Sequence, residues 1–181
     1  KRQVHGYKKL SLINRTEISR SELSLPAMEY DSFGLYISAD IDTLSPLLGE
    51  KYGPGVHALS HALLAVAPVF ADGLSRADLE CDHSFVSPTK VVLFDERAGG
   101  SGCVERLWQY FFDPVNNILE AAIDLLESCS SCSTSPGYDG GCPACLHASN
   151  CLKFNMHLSK SAAIMIGKNM LDRIKTTFLY Q

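Results

Sequence analysis

The sequence lacks the long apolar run that a membrane-spanning helix needs, because no stretch reaches about 18 consecutive apolar residues. It also lacks an excess of one charge: 16 Lys and Arg stand against 20 Asp and Glu, a net charge of −4. A broad basic surface for nucleic acid is therefore not expected. The first residues, 1–5, contain neither a Met nor an apolar core. We expect no membrane partner, no secretory signal and a chain cut from a longer protein.

Charged residues make up 20% of the chain and hydrophobic residues 46%, which is typical of a globular protein with a packed core. The length of 181 residues suits one domain, so we predict a single domain over residues 1–181. Cysteine is the unusual component. Five of the seven cysteines lie between residues 129 and 151, and the full set is Cys81, Cys103, Cys129, Cys132, Cys142, Cys145 and Cys151. The odd number argues against complete disulfide pairing, and such clustering in a chain without a secretory signal favours a metal.

Two CxxC pairs indicate which metal these cysteines bind. Cys129 and Cys132 form the first pair, and Cys142 and Cys145 form the second pair nine residues after it. A CxxC turn directs two sulfur atoms the same way, and zinc in structural sites takes four thiolates in a tetrahedron. The sequence therefore predicts a zinc-binding loop over residues 129–151 with one structural Zn²⁺. Cys151 is an alternate ligand that could replace Cys129.

Other readings of these cysteines are weaker. A thioredoxin-like CPAC requires a strand before the motif and a helix at its first cysteine, whereas a Ser- and Gly-rich segment precedes Cys142. His147 and His157 are less favoured as ligands because four thiolates suffice. A site with four thiolates has no open position for water, so the zinc is expected to be structural and not catalytic. In isolated zinc modules such a site contributes on the order of 10–16 kcal/mol to folding.

The rest of the chain reads as α+β: N-terminal strands packed with several helices. Alternation and β-branched residues predict strands at 4–12, 17–25, 32–38 and 90–94. Helical spacing of apolar residues predicts helices at 56–71 (bent or ended near Pro68), 103–112, 113–128 and 159–174. Asp113 followed by Pro114 is a typical helix start, since Asp caps well and Pro suits the first position.

Three further features carry polar groups. The segment FDERAGGSG, residues 94–102, is a Gly-rich turn between a strand and a helix, but it matches neither nucleotide-binding glycine motif, so the glycines are interpreted as structural. His57 and His61 share one helix face, yet the Glu of a metalloprotease HExxH motif is missing, so polar contacts at a core edge or partner face are favoured over a metal. The acidic run at residues 78–83 is typical of a solvated loop.

The order of these motifs resembles the C-terminal zinc-binding domain of the MrfA/Hrq family of RecQ-related superfamily 2 DNA helicases. The resemblance rests on the strand region, the His-rich helix, FDERAGGSG, the cysteines around GCPAC at 141–145, and LSKSAA at 158–163. It spans most of the chain. Relatives often have CxC as their first cysteine pair, whereas this chain has CxxC and a longer loop over 133–141, which puts Cys129 in doubt.

The resemblance implies an accessory zinc domain of an ATP-dependent 3′-to-5′ helicase in DNA repair. Its partners would be upstream RecA-like domains of the same chain and single-stranded DNA, and a eukaryotic parent would be nuclear. Arg97, Arg106 and Lys153 lie near the segments concerned. Because the chain has no Walker A lysine and no DExH box, we expect it to bind no ATP by itself. Two alternatives remain: a free-standing zinc-dependent protein-interaction module, and a small enzyme using the Gly-rich turn with His57 and His61.

Overall fold

The computed structural model describes residues 3–14, 16–71, 73–75, 77–83, 90–133 and 139–179. The chain forms two compact units, Lys1–Asp31 and Ser32–Gln181. The first unit contains strands β1 (Gly6–Leu10) and β2 (Glu17–Glu22). They pair antiparallel, with Gly6 opposite Glu22 and an irregularity after Lys9. The organisation of residues 1–181 as one domain stays a prediction.

The second unit is built on an antiparallel sheet of three strands. Strand β5 (Lys90–Asp95) lies in the centre, between β3 (Gly34–Ser38) and β4 (Leu79–Cys81). Its residues alternate in burial, with Val91, Leu93 and Asp95 on the buried face. This pattern is the period of a half-buried strand, and the strand predicted at 90–94 is confirmed.

Helices pack against this sheet and against one another. They are α1 (Ile41–Leu48), α2 (Tyr52–Phe70), α3 (Cys103–Trp108), α4 (Ile118–Glu127), the single turn α5 (Ser130–Ser133) and α6 (Lys160–Leu179). Short 3-10 turns, Gly49–Lys51 and Gln109–Phe111, extend two of them. Helix α2 packs against α4, α6 and β5, and its Leu59, Ala62 and Leu63 are fully buried. The predicted α+β fold with a Cys-rich segment is confirmed.

Helix α2 begins earlier than its sequence suggests. Pro54 lies in its first turn, where a missing N–H costs nothing, and the helix passes Pro68 before ending at Phe70. Gly55 permits the close approach of α6, since a Cβ there would lie 2.6 Å from the Cβ of Ala162. The helical segment Ile41–Phe70 is long and apolar enough to span a membrane by composition, but 67% of its apolar 18-residue window is buried inside the protein. Such burial is typical of a core helix.

Two local predictions are wrong. Helix α4 starts at Ile118, capped by Asn117, whose side chain accepts from the Leu119 and Glu120 N–H groups. Asn117 also donates to the Phe111 carbonyl from a buried position, a tertiary contact that Asp113 does not make. Asp113 instead accepts from the Val115 and Asn116 N–H groups in a turn before the helix.

The acidic run is the second error, because it is not a solvated loop. Asp78, Glu80 and His83 are each less than 10% exposed, and Leu79–Cys81 is the edge strand β4. Their polar groups find partners inside the fold: Arg97 pairs with Asp78 at 2.7 Å, and His83 lies 3.3 Å from Glu80. Internal partners of this kind make the burial of charge possible.

Candidate metal centre

The four cysteines of the two CxxC pairs come together in space. The Sγ atoms of Cys129 and Cys142 are 3.6 Å apart, those of Cys132 and Cys145 are 3.5 Å apart, and those of Cys142 and Cys145 are 3.7 Å apart. A tetrahedron of sulfur atoms about 2.3 Å from a central zinc has edges of about 3.8 Å. The thiols therefore stand at nearly the spacing that one zinc ion requires.

Two short turns position these thiols. Cys129 and Cys132 flank the start of α5, and the Cys132 N–H donates to the Cys129 carbonyl. In the second turn, the N–H groups of Cys145, Leu146 and His147 all converge on the Cys142 carbonyl. Gly141 enters this turn with φ +70°, and a Cβ there would lie 2.6 Å from the Leu146 side chain. The glycine before CPAC is therefore required by the turn.

The surroundings shift the pKa values of these thiols in different directions. Burial alone would raise the pKa of Cys142, but hydrogen bonds from the Cys132 thiol and the Ala144 N–H outweigh it and lower that pKa to about 7. Burial raises the pKa of Cys145, and hydrogen bonds with the neighbouring thiols raise it further. A cation that binds Cys145 must displace the proton that its raised pKa retains, which is the usual coupling of zinc binding to proton release.

The structure places the alternate ligand Cys151 elsewhere. Its Sγ lies 3.5 Å from Nε2 of His57, in a second cluster that also contains His61 and His83. Burial alone would raise the pKa of Cys151, but hydrogen bonds with the three imidazoles lower it to about 3, so its thiolate is favoured. All seven cysteines are free thiols. The longer loop noted in the sequence lies partly outside the described residues, at 134–138.

The remaining candidates have protein partners. His147 lies 3.3 Å from the Gly140 carbonyl, and the His157 carbonyl lies 3.1 Å from Nδ1 of His57. The Gly-rich turn is filled by the chain's own Asp95, whose carboxylate accepts from the Ser101, Gly102 and Val104 N–H groups. The structural interpretation of those glycines fits this contact, because an anion would meet a buried carboxylate there.

Sequence reasoning missed His83 and the grouping of His57, His61 and Cys151 with it. The available signal was the i, i+4 spacing of His57 and His61, which directs both imidazoles to one side of a helix. His83 sits in the acidic run, so its local composition pointed to solvent.

Comparison with known proteins agrees with the resemblance. Residues 59–146 match the family model described as the MrfA Zn-binding domain. The ATP-dependent helicase HRQ1 of Saccharomyces cerevisiae is 27% identical over 192 aligned residues, which cover 97% of this chain and 17% of that protein. The solved structure of the DUF1998 helicase MrfA bound to DNA matches with a TM-score of 0.49 and 22% identity, covering 90% of this chain and 20% of that chain.

The chain thus spans 17% of the length of the yeast helicase that it matches. The family match and the yeast relative confirm the predicted resemblance to the zinc-binding domain of MrfA/Hrq1-type helicases. This domain type, together with the four-cysteine cluster, could hold one zinc ion.

Proposed function

We propose that this zinc-binding domain of the MrfA/Hrq1 helicase type is the structural accessory domain of an ATP-dependent 3′-to-5′ helicase acting in DNA repair. The observation that carries the proposal is the convergence of four thiols within the segment that matches the family model. We assign Cys129, Cys132, Cys142 and Cys145 as the ligands of one structural Zn²⁺. The ion fixes the Cys-rich segment, which contributes little apolar surface of its own.

The domain has no motor of its own in this proposal. ATP binding and translocation belong to RecA-like domains elsewhere in the parent chain, and this domain packs on them and helps to guide single-stranded DNA. A nuclear location follows for a eukaryotic parent. The yeast relative, an ATP-dependent helicase, supports this assignment.

DNA contact in the isolated chain should be weak. The net charge is −4, and the candidate cations already have contacts within the protein. Arg97 pairs with Asp78, and the Arg106 guanidinium donates to the Gly102 carbonyl and lies 3.6 Å from the Cys103 sulfur. Few cations neutralise few phosphates, so binding is weak at any salt concentration and falls further as salt rises. Guidance of the strand therefore requires the surface of the parent motor as well.

The parent chain provides the test. We expect Cys142→Ala with Cys145→Ala to release zinc and to lower unwinding of a duplex with a 3′ single-stranded tail. DNA-stimulated ATPase should fall less, because the motor does not contain the zinc. The matched control is Cys103→Ala, a buried cysteine outside both clusters. Normal unwinding by a double variant that has lost the zinc of the four-cysteine cluster, or a preference for 5′ tails, would overturn the proposal. A gene without helicase motifs would favour the interaction-module alternative.

A further inference from the structure

A second group of metal-ligating side chains lies outside the four-cysteine cluster. It consists of His57 and His61 from α2, His83 just after β4, and Cys151 from the segment that precedes α6. Each of the four offers one donor atom, and all four donor atoms lie within 4.8 Å of one another. The residues are 0%, 2%, 4% and 6% exposed, so the group is closed off from solvent.

The spacing of the donor atoms fits a tetrahedral ion. Nδ1 of His83 lies 3.3 Å from Nε2 of His57 and 3.1 Å from Nε2 of His61. The Cys151 Sγ lies 3.5 Å from Nε2 of His57. Zinc bound at about 2.0–2.1 Å to nitrogen and about 2.3 Å to sulfur gives tetrahedral edges of about 3.3 Å between nitrogens and about 3.6 Å between nitrogen and sulfur.

The outer nitrogens of His57 and His61 are hydrogen-bonded to backbone carbonyls. His57 Nδ1 lies 3.1 Å from the His157 carbonyl, and His61 Nδ1 lies 3.0 Å from the Leu146 carbonyl. His83 Nε2 lies 3.3 Å from the carboxylate of Glu80. The two carbonyl contacts place the ring protons of His57 and His61 on the outside and leave a lone pair on the inward nitrogen of each. Metal-bound histidines are oriented in this way by carbonyl and carboxylate partners.

Glu80 is itself held in place. Its carboxylate accepts from the Cys81 N–H at 2.9 Å and from the Asn150 side chain, and the residue is 5% exposed. A buried carboxylate beside the group also offsets charge: a divalent cation with one thiolate and three neutral imidazoles carries one net positive charge, which Glu80 balances. Buried charges require such compensation.

The segment that carries Cys151 is shaped around that residue. The Lys153 N–H approaches the Cys151 Sγ at 3.4 Å, and the Asn155 side chain bonds both the N–H and the carbonyl of Ala148 at 2.9 Å. Phe154, Asn155 and His157 all have φ between 55° and 58°, a region that L-residues rarely adopt. Concentrated backbone strain of this kind is typical of binding sites.

We propose that His57, His61, His83 and Cys151 form a second, structural Zn²⁺ site in this protein. Hydrogen bonds among the four side chains, without a metal ion, explain the spacing of the donor atoms less well. One proton on His83 Nδ1 can serve one of its two imidazole neighbours and leaves the other inward lone pair facing it at about hydrogen-bond distance. A divalent cation at the centre serves all four donors at once. Four protein donors leave no open position, so the site anchors the Cys151 segment to α2 and is not a catalytic centre.

Zinc content of the purified protein is the first test. We expect two zinc ions per chain, falling to one in Cys151→Ala, in His83→Ala and in Cys142→Ala. The matched control is Cys103→Ala, which should keep both ions. Cys81→Ala should also keep both, although Cys81 Sγ lies 3.8 Å from His83 Nδ1. Loss of the second ion in Cys81→Ala, with retention in Cys151→Ala, would overturn the ligand set.

X-ray absorption at the zinc edge tests the unaltered protein and does not depend on the folding of a variant. Two filled sites predict an average shell of about 2.5 sulfur and 1.5 nitrogen atoms per zinc. In Cys142→Ala the shell should become mostly nitrogen. A single zinc in an all-sulfur shell would refute the second site and leave the four-cysteine site intact. A protein with no sulfur-only component would instead count against the site assigned under the proposed function.

Discussion

Asp95 is predicted to hold the FDERAGGSG turn, and its replacement by Asn tests that directly. The side chain is fully buried at the end of β5. Its Oδ2 accepts from the Ser101 N–H at 2.7 Å and the Gly102 N–H at 2.8 Å, and its Oδ1 accepts from the Val104 N–H at 3.0 Å. An Asn keeps one oxygen, so at best the Val104 bond is lost and an amide N–H₂ faces that N–H donor.

The cost follows from those three bonds. A hydrogen bond to a charged group contributes about 1.5–3 kcal/mol, and a buried donor without a partner costs about 1–3 kcal/mol. We therefore expect Asp95→Asn to lower the free energy of unfolding by about 2–4 kcal/mol. Urea unfolding of the zinc-loaded protein, followed by circular dichroism, measures this loss as a lower midpoint with an unchanged slope.

Asp113→Asn is the matched control for that measurement. Asp113 also accepts from two backbone N–H groups, Val115 and Asn116, but both bonds go to Oδ1, so an Asn oxygen can retain them. Its effect on unfolding should be much the smaller of the two. If Asp95→Asn lowers the free energy of unfolding by less than about 1 kcal/mol, the carboxylate does not hold the turn and the reasoning fails.

Two further perturbations address the segment around the cysteines. Burial alone would raise the pKa of Asp139, but hydrogen bonds from Ser159 and Ser161 at the start of α6 lower it. The ionised carboxylate therefore stabilises the fold at pH values above its ordinary pKa of about 4, and this stabilisation is lost as the pH falls through the pKa of the folded state. Asp139→Asn should therefore lower the melting temperature at neutral pH and flatten its decline in acid; an unchanged profile would contradict the assignment. Gly141→Ala should weaken zinc retention against a chelator, because a Cβ at φ +70° meets Leu146, whereas the control Gly73→Ala, at φ +75° with open space around it, should not. Equal zinc retention in the two variants would rule out that steric argument.

The four-cysteine cluster could be predicted because its information is local. Each CxxC pair fixes two sulfurs within one turn, and only the meeting of the two turns depends on the fold. Local sequence patterns could not decide whether Cys129 or Cys151 joins the other three cysteines. The structure brings Cys129 to within 3.6 Å of Cys142 and places Cys151 beside His57, 94 positions away in the chain. A contact of that range depends on how α2 packs against the Cys151 segment.

Local patterns failed where two of them competed for the same role. Asp113 with Pro114 and Asn117 are both acceptable helix starts, and burial of Asn117 against the Phe111 carbonyl decided between them. Likewise, the composition of residues 78–83 indicates solvent, yet Glu80 and His83 are buried. Glu80 accepts from Asn150 and from the Cys81 N–H, and its carboxylate lies 3.3 Å from His83. A high content of charged residues indicates exposure to solvent only where those residues have no partners inside the fold.

The segment from Cys142 to Cys151 connects the two groups of ligands through its backbone as well as its side chains. Cys145 belongs to the four-cysteine cluster, and the carbonyl of the next residue, Leu146, accepts from Nδ1 of His61 in the second group. The same Leu146 side chain packs against Gly141 at the start of the CPAC turn. A displacement of the CPAC turn should therefore move the carbonyl that orients His61. The contacts of Leu146, Cys151 and His157 with the two histidines of α2 thus join this segment of little apolar surface to that helix.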